Sequence, residues 1–138
     1  MMKNNFFFAL LLLLLAGCSG NVGLKGKVVF SDDQSPVPTG TVFFEKGGYL
    51  ARAVIQPNGT FTVGSVKSKD GLPPGTYGVY ITSAHQVVGK CELGIDIYGT
   101  LIDEKYTKSS TSDISIDVTA STKYVEFIVD RYKPTARR

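Results

Sequence analysis

The sequence of 138 residues has no tryptophan, one histidine (His85), two methionines and two cysteines, Cys18 and Cys91. Each shortage excludes something. One histidine cannot build a histidine-based metal cluster, and it limits acid–base chemistry to a single imidazole. Without tryptophan, a stacking platform for sugars has to be assembled from tyrosines. Fifteen basic residues face twelve acidic ones, and the basic ones are scattered apart from Arg131, Lys133, Arg137 and Arg138. That is not the dense basic stripe with interleaved aromatics of a nucleic-acid binder, so no nucleic-acid partner is expected. Residues 132–138 read instead as a solvated, disordered basic tail. Long apolar runs are also missing. The longest, Phe6 to Ala16, is about half of the roughly 20 residues a membrane-spanning helix requires.

That run shows what is present. In MMKNNFFFALLLLLLAGCSG, Lys3 supplies a short charged segment, and the apolar stretch has the length of the hydrophobic part of a secretory signal. It ends in Leu15-Ala16-Gly17-Cys18, which resembles the lipobox of bacterial lipoproteins. The resemblance implies cleavage before Cys18, a diacylglycerol on its thiol, and acylation, typically with palmitate, of the freed amine. Two or more acyl chains hold a protein stably at a bilayer, each buried CH₂ contributing about 0.8 kcal/mol. The small Ala16 and Gly17 leave the bond accessible to a peptidase. Ser19, Gly20, Asn21 and Gly23 then read as a flexible tether. In Gram-negative lipoproteins an Asp after the cysteine favours the inner membrane, so Ser19 favours the outer one. The expected organisation is a signal helix over 1–17, a lipidated tether over 18–23, one domain over 24–131, and the tail. If Cys18 carries lipid, Cys91 has no disulfide partner, and its expected role is that of a small buried hydrophobe.

From Leu24 onward the hydrophobic period is two, not 3.6. Strands are expected at Leu24–Phe30, Thr41–Glu45, Tyr49–Ile55, Phe61–Val63, Tyr77–Ile81, Ile114–Val118 and Tyr124–Asp130. Turn signals separate them. SDDQSPVPTG (31–40) carries two prolines that cannot sit in a paired central strand, Gly47-Gly48 marks a hairpin, and Gln56-Pro57-Asn58-Gly59 is a tight reversal. SVKSKDGLPPGTY (65–77) is a loop leading into the fifth strand. Ser83 to Thr100 is β-like without an evident partner, and Leu101 to Tyr106 looks like one helical turn or a crossover. Seven short strands without a helix-period segment predict an all-β fold, a seven-stranded antiparallel Greek-key sandwich.

The order Gly26-Lys27-Val28, Pro36-Val37-Pro38, Gly40-Thr41-Val42-Phe43-Phe44, Pro57-Asn58-Gly59-Thr60-Phe61 and Leu72-Pro73-Pro74-Gly75-Thr76-Tyr77-Gly78-Val79 resembles the carboxypeptidase regulatory-like, or transthyretin-like, β-sandwich domains of bacterial surface proteins. Leu101-Ile102-Asp103-Glu104-Lys105-Tyr106 with Thr111-Ser112 is similar to a segment of small secreted versions. The resemblance spans about residues 24–130 and implies a transthyretin-like or Ig-like sandwich. Many relatives carry an acidic Thr-Asp-x-Asp-Gly where this chain has Ile55-Gln56-Pro57-Asn58-Gly59, which removes a calcium-binding turn. The transthyretin-like hydrolases use two histidines, an arginine and a C-terminal Tyr-Arg-Gly-Ser. This chain has one histidine and ends Tyr-Lys-Pro-Thr-Ala-Arg-Arg.

An enzyme would need His85 and Cys91 to meet across a bend, and no third orienting group accompanies them. Asp32-Asp33 and Asp103-Glu104 are adjacent pairs that a strand would point to opposite faces. No catalytic residue, metal site or cofactor is therefore expected. Four tyrosines remain as candidate ligand contacts. Tyr80 and Tyr124 lie out of phase with the core residues of their strands, and Tyr98 and Tyr106 fall in the irregular segment. The expected protein is a lipid-anchored, non-catalytic binding, spacer or assembly module of the bacterial cell envelope. The membrane is its partner through Cys18, with a further envelope protein or glycan meeting loops 31–40, 65–75 or 84–106. A carbohydrate- or peptide-binding module is the alternative, and a hydrolase is the remaining one.

Overall fold

The computed structural model describes residues 20–63 and 71–134. Alternation dictates its first strand. In β1 (Lys25–Phe30), Val28 and Phe30 turn inward with Gly26, and Lys25 is left to solvent. The chain then passes through an acidic turn in which Gln34 is left-handed (φ 61°). It re-enters at Val37, which is fully buried. Strands β2 (Thr41–Lys46) and β3 (Tyr49–Val54) form the Gly47-Gly48 hairpin, with Thr41 opposite Val54 and Lys46 opposite Tyr49. The short β4 (Thr60–Thr62) crosses to β1. The long β5 (Gly75–Thr82) returns beside β2 and buries Tyr77, Val79 and Ile81 along one face, as its period of two requires.

After β5 the left-handed Ser83 (φ 58°) re-aims the chain into an arm, β6 (His85–Lys90) and β7 (Asp96–Thr100). A single 3-10 turn, Glu104–Thr107, leads to β8 (Ile114–Val118) and β9 (Tyr124–Val129). The strands assemble as a four-stranded antiparallel sheet β3-β2-β5-β8, a three-stranded sheet β4-β1-β9, and the two-stranded arm. The two larger sheets bury one shared core. At its centre Phe44 of one sheet lies 6.0 and 6.1 Å from the Phe61 and Phe127 rings of the other, which stack on each other at 5.9 Å. This is the face-to-face packing of a β-sandwich.

The all-β architecture agrees with the sequence pattern, but three details differ. Among the described residues nine strands form, not seven. Val87-Val88 and Ile97-Tyr98 lacked a visible partner because they pair with each other, Val87 opposite Tyr98. Their pattern is obscured because neither face of the arm is buried. The sheets are also not wholly antiparallel. β9 runs parallel to β1 through six registered pairs, from Lys25–Tyr124 to Phe30–Val129. Local turns specify only antiparallel neighbours, whereas this pairing closes the first strand onto the last across the whole domain. Finally, the tether is shorter than expected. Val22 pairs with Leu72 through N–H···O bonds of 2.6 and 2.8 Å and is buried. Signal residues 1–17, Cys18 and the end of the tail lie outside the described residues. Of the tail, Tyr132 is tied in, its amide donating to the Leu101 carbonyl at 2.9 Å.

The strand directions define two poles. The entry segment at Val22, the turn at Gly47-Gly48 and the start of β5 lie at one end. The eight residues of β5 then carry the chain about 25 Å, at roughly 3.3 Å per residue. At the far end lie the acidic turn, the arm, the 3-10 turn and Asp130-Arg131.

Candidate functional site

The far pole carries both an ionic cluster and a cleft. Arg131 follows β9 and reaches back over the acidic turn. Its Nε donates to Asp32 Oδ2 at 2.9 Å, its Nη2 lies 3.4 Å from Asp33 Oδ1, and its guanidinium stacks 3.7 Å from the centre of the Phe30 ring. Asp32 in turn raises the pKa of Arg131. The Ser35 hydroxyl and amide both donate to Asp33 and hold its carboxyl below the usual range. Asp32 and Asp33, which might have offered oxygens to a cation, are thus committed to a guanidinium. Among the described residues no group of three His, Cys, Asp or Glu side chains has metal-binding proximity.

Beside this cluster, Asp130 gathers three partners. Ser31 donates to Oδ1 at 2.6 Å, the Tyr106 hydroxyl donates to Oδ2 at 3.1 Å, and Lys105 Nζ lies 3.4 Å from Oδ2. These contacts, Ser31 foremost, pull the Asp130 pKa down. Lys105 also sits 4.7 Å over the Tyr106 ring and 3.7 Å from Asp113. Tyr106 and these carboxylates raise its pKa above the ordinary lysine range. Asp103 starts the 3-10 turn by accepting the Lys105 amide at 3.0 Å, an Asx-type cap. The network therefore pins residues 103–113 to the end of β9.

This arrangement sets an acid sensitivity. Asp33 and Asp130 have lowered folded-state pKa values, so their contribution is full above the unfolded value of about 3.9 and is lost as pH falls through the lower folded value. A series of thermal melts from about pH 6 to about pH 2.5 checks this. Tm of the native chain is expected to fall at the acid end, and to fall less in Asp130→Asn. Both carboxylates are solvent-exposed, so the difference is modest.

Under the network opens a cleft of about 600 Å³. Its walls are Thr82, Ser83, Ala84 and His85 from the start of the arm, Thr100 and Ile102 from its end, and Glu104, Lys105, Thr107, Lys108 and Thr111 from the crossover. It is a mixed surface of hydroxyls, two ammonium groups, the Glu104 carboxylate and the His85 imidazole beside the apolar Ala84 and Ile102. The expected loop regions 31–40 and 84–106 thus meet at one pole. Residues 64–70 of the third expected region lie outside the described residues.

The four candidate tyrosines do not come together. Tyr80 is half-buried on the outer face of the four-stranded sheet, stacked on Phe43 at 5.0 Å. Tyr124 is 58 % exposed on the outer face of the other sheet, and Tyr98 is 66 % exposed on the arm. Tyr106, expected as a surface contact, is only 5 % exposed. It is a core residue whose hydroxyl serves Asp130, which helical-turn packing against β5 explains. Cys91 corrects the other way. It was expected as a buried hydrophobe but is exposed at the tip of the arm. His85 begins β6 and Cys91 follows its end, so about 20 Å of extended strand separates them. A Cys–His dyad is excluded by that span. What the sequence does not display is the ionic cluster, because Ser31 and Asp32 meet Asp130 and Arg131 only through the parallel closure of β1 and β9.

Among the described residues, no helix is long and apolar enough to cross a membrane. No family model matches the chain, and no curated protein does. Among solved structures, the crystal structure of a variant of the major pilin subunit of Bacillus cereus is similar, with a TM-score of 0.49 and 13% sequence identity. The match covers 83% of this chain and spans 30% of that pilin chain.

Proposed function

We propose that this chain is a lipid-anchored, non-catalytic binding or assembly module of the bacterial cell envelope, built on a transthyretin-like Greek-key β-sandwich. The observation that carries the reading is Leu15-Ala16-Gly17-Cys18 at the end of the short apolar run. Lipid on Cys18 places the anchor a few residues before Val22, at the entry pole. Ser19 directs the anchored protein to the outer membrane of a Gram-negative cell. The domain then acts by position. It holds its far pole, with the cleft and the arm, about 25 Å beyond the point of attachment, the length of an eight-residue strand. Dispersal of the tyrosines over separate faces disfavours a sugar-stacking platform as the binding element.

Palmitate labelling of the full chain expressed in a Gram-negative bacterium tests the anchor. Label is expected on the native chain and absent from Cys18→Ala, which should also leave the membrane fraction. Label retained by Cys18→Ala would refute lipidation at this position.

A further inference from the structure

The fold gathers lysines that the sequence scatters. Lys46 ends β2 and Lys123 precedes β9, and both continue the inward phase of their strands beyond the core. Lys46 lies 5.9 Å from the centre of the Tyr77 ring and donates to the Pro74 carbonyl at 3.3 Å. The Lys25 amide donates to the Lys123 carbonyl at 3.1 Å, which sets those two residues side by side. All three side chains are exposed and share the entry pole with Val22. None of them has a carboxylate partner among the described residues, where every ion pair lies at the far pole or on the arm. The nearest acids, Glu45, Asp117 and Glu126, are out of phase with the buried Phe44, Val118 and Phe127, so they stand on the flanks. At the far pole the balance is reversed. Over residues 31–33, 90–113 and 130–133 carboxylates outnumber cations.

We propose that the entry pole is a docking face for anionic phospholipid headgroups, on which Lys25, Lys46 and Lys123 seat the domain with its arm directed away from the bilayer. The inference rests on the lipid anchor proposed above. Two arguments choose this occupant. The first is reach. Four residue steps separate Cys18 from Val22, and they span at most about 14 Å. The anchor therefore keeps this pole near the Debye length of about 8–10 Å from the headgroups, where an anionic surface attracts each lysine. An acidic protein partner would have to fit into that same gap. The second argument is sign. The field that draws the lysines inward repels the acidic far pole, so the two ends together orient the domain upright. Cys91, at the tip of the arm, then stands beyond the roughly 25 Å of β5 from the membrane.

Energy transfer on the full, lipidated chain in vesicles tests it. With lipid on Cys18, Cys91 is the remaining thiol, and it is exposed. A fluorescent donor on Cys91 and acceptors on the headgroups read the height of the arm. Transfer is expected to be roughly twofold lower in vesicles of equal phosphatidylglycerol and phosphatidylcholine than in phosphatidylcholine alone, and added salt should erase the difference. Lys25→Glu, Lys46→Glu and Lys123→Glu in one chain should raise transfer in the mixed vesicles to the phosphatidylcholine value. Lys133→Glu, at the other pole, should leave it low. Equal transfer in the two kinds of vesicle would overturn the proposal, including high transfer in both from an arm laid on the lipid. So would indifference to the triple charge reversal. Palmitate labelling of the same sample keeps the two readings apart. A labelled chain with equal transfer refutes the docking face alone, and an unlabelled chain refutes the anchor and this inference with it.

Discussion

Phe44→Ala is expected to destabilise the domain by about 3–5 kcal/mol, the range for emptying a large aromatic from a close-packed core. Phe44 is fully buried on β2 and packs its ring from the four-stranded sheet against both members of the Phe61–Phe127 stack. Its removal strips contacts from both sheets, and neither can relax into the gap without breaking its own register. A domain of this size has a total stability of about 5–15 kcal/mol, so the loss is a large part of the whole. Chemical denaturation measures it, with Phe44→Leu as the milder comparison at under half the effect. A cost below about 1 kcal/mol for alanine would mean that the two sheets do not depend on this contact.

Gly26→Ala tests the other side of the same interface and should cost about 3 kcal/mol, the upper end for overpacking. A Cβ at Gly26 would enter the Phe61 ring and lie 2.6 Å from the Val125 carbonyl oxygen. The carbonyl belongs to the parallel partner strand and the ring is backed by Phe127, stacked at an interplanar angle of 6°, so neither can withdraw cheaply. Replacing Phe61 with leucine in the same chain should recover part of the loss, because a smaller side chain leaves room for the methyl. If Gly26→Ala melts with the native chain, the tight approach of β1, β4 and β9 is not what holds the three-stranded sheet.

These two residues also mark how far the sequence could be read. Phe44 was legible, since Thr41-Val42-Phe43-Phe44-Glu45 alternates and alternation assigns it to the core face. The seven strands carrying such alternation lie where the pattern puts them, and turn residues at Asn58-Gly59 and Gly47-Gly48 explain how they connect. Gly26 was legible only as part of a family-like motif. Its need for hydrogen in place of a side chain comes from Phe61 and Val125, far away in sequence. The arm was hidden for a different reason. Pattern reading detects a buried face, and β6 and β7 have none within the chain. The ionic cluster was hidden because adjacent acids at Asp32-Asp33 look like a solvated turn until β9 delivers Arg131. Tyr106 was misplaced because a one-turn helix is too short to show a period.

The parallel union of β1 with β9 has a mechanical corollary. The chain enters β1 at one pole and leaves β9 at the other, so tension drawn between Val22 and Tyr132 runs along both strands. All six rungs from Lys25–Tyr124 to Phe30–Val129 then bear the load at once, in shear, instead of parting one by one like a zip.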